Sequence, residues 1–225
     1  MSGLALAVVP AHDEEGSIGL TVKALLSVPQ ITGVVVVADG CSDRTAEEAA
    51  GAGAGVMASA TRLGKGGAIE FGLDHVARSP LYVLVDGDVG ATAAEADILL
   101  REVTSGRLDL AIGRLPSQPE GGFGFVKRLA GRTIAVLTGF HAAAPLSGQR
   151  ALTAEVLEAC RPLASGFGVE TAMTVDAVRL GFRVGEVEVA MTHRPTGRSA
   201  AGFAHRARQG LDILRAAVPR VLRLR

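Results

Sequence analysis

Short runs of small and branched apolar residues alternate with amphipathic stretches through the first half of the chain. That is the pattern of strand-helix-strand crossovers and predicts an α/β fold with a mostly parallel sheet flanked by helices. Leu4–Val9 reads as a buried strand and Glu15–Leu26 as the helix after it. Gly33–Ala38, with four consecutive valines, is a strand apolar on both faces. It breaks at Asp39-Gly40, after which Ser42 or Asp43 caps a helix to about Gly51. Val56–Ser59 predicts a short strand, Gly66–Ala77 a helix, and Leu81–Val85 a central strand that stops on Asp86. A helix at Ala93–Ser105 and a strand at Leu108–Gly113 complete this regular half.

Beyond residue 113 the pattern changes. Leu115–Gly124 (LPSQPEGGFG) is rich in Pro and Gly and reads as a mobile loop of the kind that covers an active site. Helices are expected at Phe125–Thr138, Glu155–Arg161 and Gly168–Leu180, and a strand at Val184–Met191. Ala201–Leu222 is a basic amphipathic helix whose apolar side carries Phe203, Ala207, Leu211, Leu214, Val218 and Val221. The organisation predicted is one domain over 1–200, with halves 1–113 and 114–200, followed by the 201–225 helix.

Composition narrows the functional classes. Of 225 residues 48% are hydrophobic and 20% charged, enough apolar material for a sizeable core. A net charge of zero and the lack of Trp argue against a nucleic-acid binder. The charge is uneven, since residues 193–225 hold eight basic residues against one acidic, and that end is expected to face an anion or an acidic surface. Cys41 and Cys160 lack metal-ligand spacing or a disulfide framework. With no signal peptide and no apolar run of bilayer length, a cytoplasmic protein is expected.

Three polar clusters, Pro10–Glu15, Asp39–Asp43 and Asp86–Asp88, each begin where a strand ends, and in open parallel sheets ligands sit beyond those carboxyl ends. Asp86-Gly87-Asp88 places two carboxylates about a glycine, a spacing that suits Mg²⁺ or Mn²⁺ with a phosphate approaching the backbone. An exposed acidic turn reads the same way. The acids at 13–15 and Asp43 fit helix capping equally well. Leu63-Gly64-Lys65-Gly66-Gly67 ahead of a helix joins a cation to free N–H groups, which suits a phosphate, or is a plain helix start.

In order, these clusters resemble family 2 glycosyltransferases of the GT-A fold. PAHDEE is similar to the family's P-A-Y-N-E-E, VADGCSDRT to V-D-D-G-S-x-D-x-T, GKGGAIEFGL to the G-K-G-x-A-x-x-x-G helix, and DGD to its D-x-D. The resemblance implies a nucleotide-sugar donor and a divalent metal. Pro10, Ala11, Glu14 and Asp39 would hold the nucleoside and Lys65 the phosphates. Asp86, Gly87 and Asp88 would meet the ribose, phosphate and metal. The chain departs from the pattern at His12, Asp13, Ala38 and Cys41, where the family has an aromatic residue, Asn, Asp and Ser; the loss at Ala38 leaves base specificity open. Pro145–Leu152 (PLSGQRAL), Gly166–Ala172 (GFGVETA) and Thr192-His193-Arg194 are similar to elements of glucosyl-3-phosphoglycerate synthase and its relatives. That likeness implies Arg150 near an anionic acceptor or the diphosphate, Glu170 near the donor sugar, and His193 as a metal ligand beside Asp88. It also favours retention of anomeric configuration and a UDP-sugar.

The partners expected are thus a nucleotide-sugar and a small acceptor. Four uses are open to the 201–225 helix: packing, pairing in a homodimer, peripheral membrane contact, or binding an anionic acceptor. A polyprenyl-phosphate transferase and a non-catalytic nucleotide-sugar binder remain alternatives. A sugar-nucleotide pyrophosphorylase is disfavoured, because its G-T-R loop is absent after the first strand.

Overall fold

The computed structural model describes residues 4–116, 124–193 and 220. Strand β1 (Ala5–Ala11) leads to helix α1 (Ile18–Leu26), β2 (Ile31–Asp39), α2 (Thr45–Gly51), β3 (Gly55–Ser59), α3 (Lys65–Asp74) and β4 (Leu81–Leu84). There follow a 3₁₀ turn at Gly90–Glu95, α4 (Ala96–Thr104), β5 (Leu110–Arg114), α5 (Gly124–Thr138), β6 (Arg150–Thr153), α6 (Ala154–Cys160), α7 (Val169–Arg179) and β7 (Val184–Glu188). The strands form one sheet in the order β3-β2-β1-β4-β6-β5-β7. All neighbours run parallel except β6, which is antiparallel to both β4 and β5.

Period-two alternation divides the strand residues between two apolar layers. Ala5, Ala7 and Val9 of β1 and Val34 and Val36 of β2 face Ile18, Val22 and Leu25 of α1 and Leu99, Leu100 and Val103 of α4. Val8, Val37, Leu84 and Leu152 point the other way, onto Ile69 of α3, Leu157 of α6 and Met173 of α7. Helices on both faces explain why the central strands read as nearly continuous apolar runs.

The structure corrects several boundaries. β1 extends past Val9 to include Pro10 and Ala11, which pair in register with Val37 and Ala38. The first helix starts at Ile18, not Glu15, because Asp13 (φ 56°) and Gly16 (φ 86°) are left-handed and cannot join a right-handed helix. The acids ahead of it serve cross-loop contacts instead: Glu15 pairs with Arg44. Arg44, not Ser42 or Asp43, occupies the N-cap of α2; Asp43 accepts from Thr45 N at 3.0 Å and Glu15 N at 3.0 Å, tying two loops together. The expected strand to Met191 ends at Glu188, although Val189 and Met191 stay buried. β6 and the 3₁₀ turn were not anticipated. Most of the loop at Leu115–Gly124 and the Ala201–Leu222 helix lie outside the described residues. Arg220, described alone in that stretch, is buried and ion-paired with Asp176 of α7. No helix among the described residues is long and apolar enough to cross a membrane.

Gly66, in the first turn of α3, lies against the segment before α7. A Cβ there would come within 1.9 Å of the Ala164 carbonyl oxygen, a backbone atom. Gly66→Ala is expected to destabilise by about 1–3 kcal/mol or more in urea unfolding. Gly51→Ala, whose Cβ meets nothing within 4 Å, is the control and is expected to be neutral or to stabilise by up to about 1 kcal/mol.

Candidate active site

The carboxyl ends of β1, β2 and β4 bring the three polar clusters together. A Cβ on Gly87 would stand 3.2 Å from both Ala11 Cβ and Glu14 Cγ, so the acidic turn after β4 packs directly on the loop after β1. Thr21 of α1 holds that turn in place: its hydroxyl donates to Gly87 O at 2.8 Å and accepts from Gly90 N at 2.8 Å.

At the centre stands Lys65, placed at the start of α3 by the left-handed Gly64 (φ 76°). Its ammonium pairs with Asp86 Oδ1 and, at 2.6 Å, with Glu170 Oε1 in the first turn of α7. Gln149 grips Asp86 in both directions, donating from Nε2 to Oδ2 at 2.8 Å and accepting from Asp86 N at 3.2 Å. Burial opposes charge on Lys65, but Asp86 and Glu170 outweigh it and raise the ammonium above its usual range. For Asp86 burial is likewise outweighed, chiefly by Lys65, and the carboxyl is lowered.

Asp88 meets His193 from far along the chain, with Nδ1 2.8 Å from Asp88 Oδ1. Burial works against protonation of His193, yet the hydrogen bond to Asp88 and the charges of Asp86 and Asp88 raise it above 6.5. Asp88 and His193 thus bring a carboxylate oxygen and an imidazole nitrogen together, two groups of metal-ligating type. The two oxygens of Asp86 are engaged by Lys65 and Gln149.

Two further residues of the sequence-predicted site are buried. Asp39, expected at the nucleoside, is 4% exposed, and its carboxylate accepts from Leu63 N at 2.5 Å and Gly64 N at 2.9 Å. It holds the loop that presents Lys65. Arg150, expected to face an acceptor or the diphosphate, is 1% exposed beneath the site. Its Nε donates to Ser147 O at 2.9 Å, while Nη1 and Nη2 are buried without a hydrogen-bond partner. Burial pushes it down to about 10 against the attraction of Glu170. Pro10 and Ala11 end β1 and Glu14 begins the adjoining turn.

Gln149, Gly148 and Thr21 went unrecognised in the sequence. Gly148 is required for close approach, since a Cβ there would lie 2.2 Å from Lys65 Nζ and 2.6 Å from Asp86 Oδ2. Its neighbours in PLSGQRAL were the available signal.

Removing Lys65 leaves two carboxylates facing one another out of water. Lys65→Met is expected to cost about 3 kcal/mol in urea unfolding. Adding Glu170→Gln to it should recover part of that loss, a coupling that independent sites would not show.

Comparison with known proteins places the chain in a family. The glycosyl transferase family 2 model matches residues 6–155. Glycosyltransferase AglJ of Haloferax volcanii is 31% identical over 169 residues, 73% of this chain and 55% of AglJ. The low-salt glycan biosynthesis hexosyltransferase Agl6 of the same organism is 38% identical over 109 residues, 47% of this chain and 26% of Agl6. The chain thus spans about half the length of the first of these relatives and about a quarter of the second. Glucosyl-3-phosphoglycerate synthase from Mycobacterium tuberculosis, in complex with phosphoglyceric acid, aligns with a TM-score of 0.79 at 25% identity, covering 96% of this chain and 79% of that one. The same synthase with Mn²⁺, UDP-glucose and phosphoglyceric acid gives 0.78 at 25% identity over 95% and 79%. With the family match running through the β1 and β2 ends, Lys65 and the Asp86–Asp88 turn, this chain belongs to glycosyl transferase family 2.

Proposed function

We propose that the chain transfers a hexosyl group from a UDP-sugar to a small anionic acceptor, with Mg²⁺ or Mn²⁺ held by Asp88 and His193. The observation that carries this reading is the meeting of those two side chains, 105 positions apart, beside the Lys65–Asp86 pair. Asp88 would hold the ion through a carboxylate oxygen, a hard ligand that suits Mn²⁺ or Mg²⁺, and His193 through an imidazole nitrogen. When bound, the ion neutralises charge on the departing diphosphate.

The chain's own residues supply the rest. Pro10, Ala11 and Glu14 line the nucleoside end. Lys65 is a fixed positive charge for the phosphates, already oriented by Asp86 and Glu170. Glu170, beside Lys65, would accept from hydroxyls of the donor sugar. Arg150, sealed from solvent, would act on the site through the attraction between its charge and that of Glu170. Asp176 pairs with Arg220, so it is a poor candidate to deprotonate an acceptor, which fits a retaining course. Support for the donor and acceptor classes comes from the M. tuberculosis synthase, solved with UDP-glucose and phosphoglyceric acid. A polyprenyl-phosphate acceptor is the rival, and assays with phosphoglycerate and with a polyprenyl phosphate separate the two.

Titration calorimetry with UDP tests the site. Mn²⁺ is expected to tighten UDP binding by about tenfold or more, some 1.4 kcal/mol, in the wild-type chain and not in Asp88→Ala. UDP binding indifferent to Mn²⁺ in the wild type would sink the metal-dependent reading.

His193 makes the metal step pH-dependent. Its folded value is raised, so its pairing with Asp88 adds stability below 6.5 and loses it as pH rises through the raised value. The ion competes with that proton, so Mn²⁺ affinity should climb with pH above 6.5 and flatten in His193→Ala, as read by Mn²⁺ titration at several pH values.

A further inference from the structure

At the ends of β1 and β2, three side chains of metal-ligating type converge away from Asp88. His12, Asp13 and Cys41 each offer one ligand atom, and these atoms all lie within 4.8 Å of one another. Among the described residues no other group of three or more such side chains closes to that distance. His12 and Cys41 are half-buried and Asp13 is exposed, so an ion can enter from solvent.

His12 and Asp13 are held through the atom that does not ligate. His12 Nδ1 stands 2.7 Å from the carbonyl oxygen of Asp39. A carbonyl only accepts, so the ring proton of neutral His12 is fixed on Nδ1 and its lone pair on Nε2. A backbone carbonyl behind one ring nitrogen is how ligating histidines are oriented. Nε2 lies 3.6 Å from Asp13 Oδ2. Asp13 is anchored through its other oxygen, which accepts from Ser42 N at 2.7 Å. Its φ of 56° makes it the one non-glycine with positive φ among the described residues, a conformation the surrounding contacts must maintain. Cys41 Sγ donates to Ala11 O at 3.4 Å.

We propose that His12, Asp13 and Cys41 form a second metal site, for a borderline-soft ion such as Zn²⁺, through one imidazole nitrogen, one carboxylate oxygen and one thiolate. Three protein ligands leave a fourth position for water or a ligand atom. The thiolate distinguishes it from the Asp88–His193 pair, since sulfur selects zinc over Mg²⁺ or Mn²⁺. On binding, the Cys41 S–H bond breaks, its proton passes to solvent, the metal–sulfur bond forms, and the hydrogen bond to Ala11 O is given up. The ion then fastens the loop after β1 to the loop after β2. Asp39, whose carbonyl orients His12, also holds the Leu63–Gly64 backbone before Lys65, so occupancy bears on the phosphate end of the cleft.

Co²⁺ titration of the full chain tests the site. A thiolate-to-cobalt charge-transfer band is expected in the near ultraviolet, saturating at one equivalent and bleached by Zn²⁺ but not by Mg²⁺. It should persist in Asp88→Ala, which separates this site from the proposed catalytic metal, and vanish in Cys41→Ser and His12→Ala. Cys160 is buried and contributes no band. Thermal melts without metal establish that Cys41→Ser is folded, and that variant decides alone if His12→Ala is not. A wild-type chain without the band, or a band that survives in folded Cys41→Ser, would overturn the proposal.

Discussion

The Lys65 ammonium, shared between Asp86 and Glu170, is the interaction on which the rest of the site depends. Asp86 belongs to the turn after β4, Glu170 to α7, and Lys65 to the start of α3, so one cation joins three elements of the sheet's carboxyl edge. Two anions about one cation, largely out of water, hold only if every remaining polar atom is satisfied. Gln149 does this for Asp86, and Asp39 fixes the backbone from which Lys65 extends. Small residues are forced wherever these groups crowd, most tightly at Gly148.

The same cluster divides the labour between the two acidic residues of Asp86-Gly87-Asp88. Asp86 is paired with Lys65 and Gln149, while Asp88 turns to His193. Two carboxylates one residue apart therefore have different partners, which the spacing alone does not show.

How much was legible follows from the range of each signal. The valines of β2 and the alternation in β1 announce their strands because both layers of the core draw on them. Convergence of the strand ends follows from parallel topology. The role of Asp39 was not legible, because its partners are backbone amides 24 and 25 positions away. Nor was the start of α1, where the left-handed Asp13 and Gly16 override a run of acids that suits a helix N-terminus. β6 escaped because Arg-Ala-Leu-Thr is four residues long and opens on a buried arginine that no strand pattern favours. Gln149 escaped with it, since a neutral amide carries no charge pattern.

The antiparallel β6 has a consequence for assembly. β5 precedes β6 in the chain, yet it has no partner among the earlier strands, for β6 lies between it and β4. As the chain emerges, the β3-β2-β1-β4 sheet can close without the second half, leaving β4 as a bare edge beside Asp86. β5 joins that edge only through β6, with Gln149 and Arg150 at its head. A chain cut before residue 149 would keep the acidic turn and lose the amide that grips Asp86 from both sides.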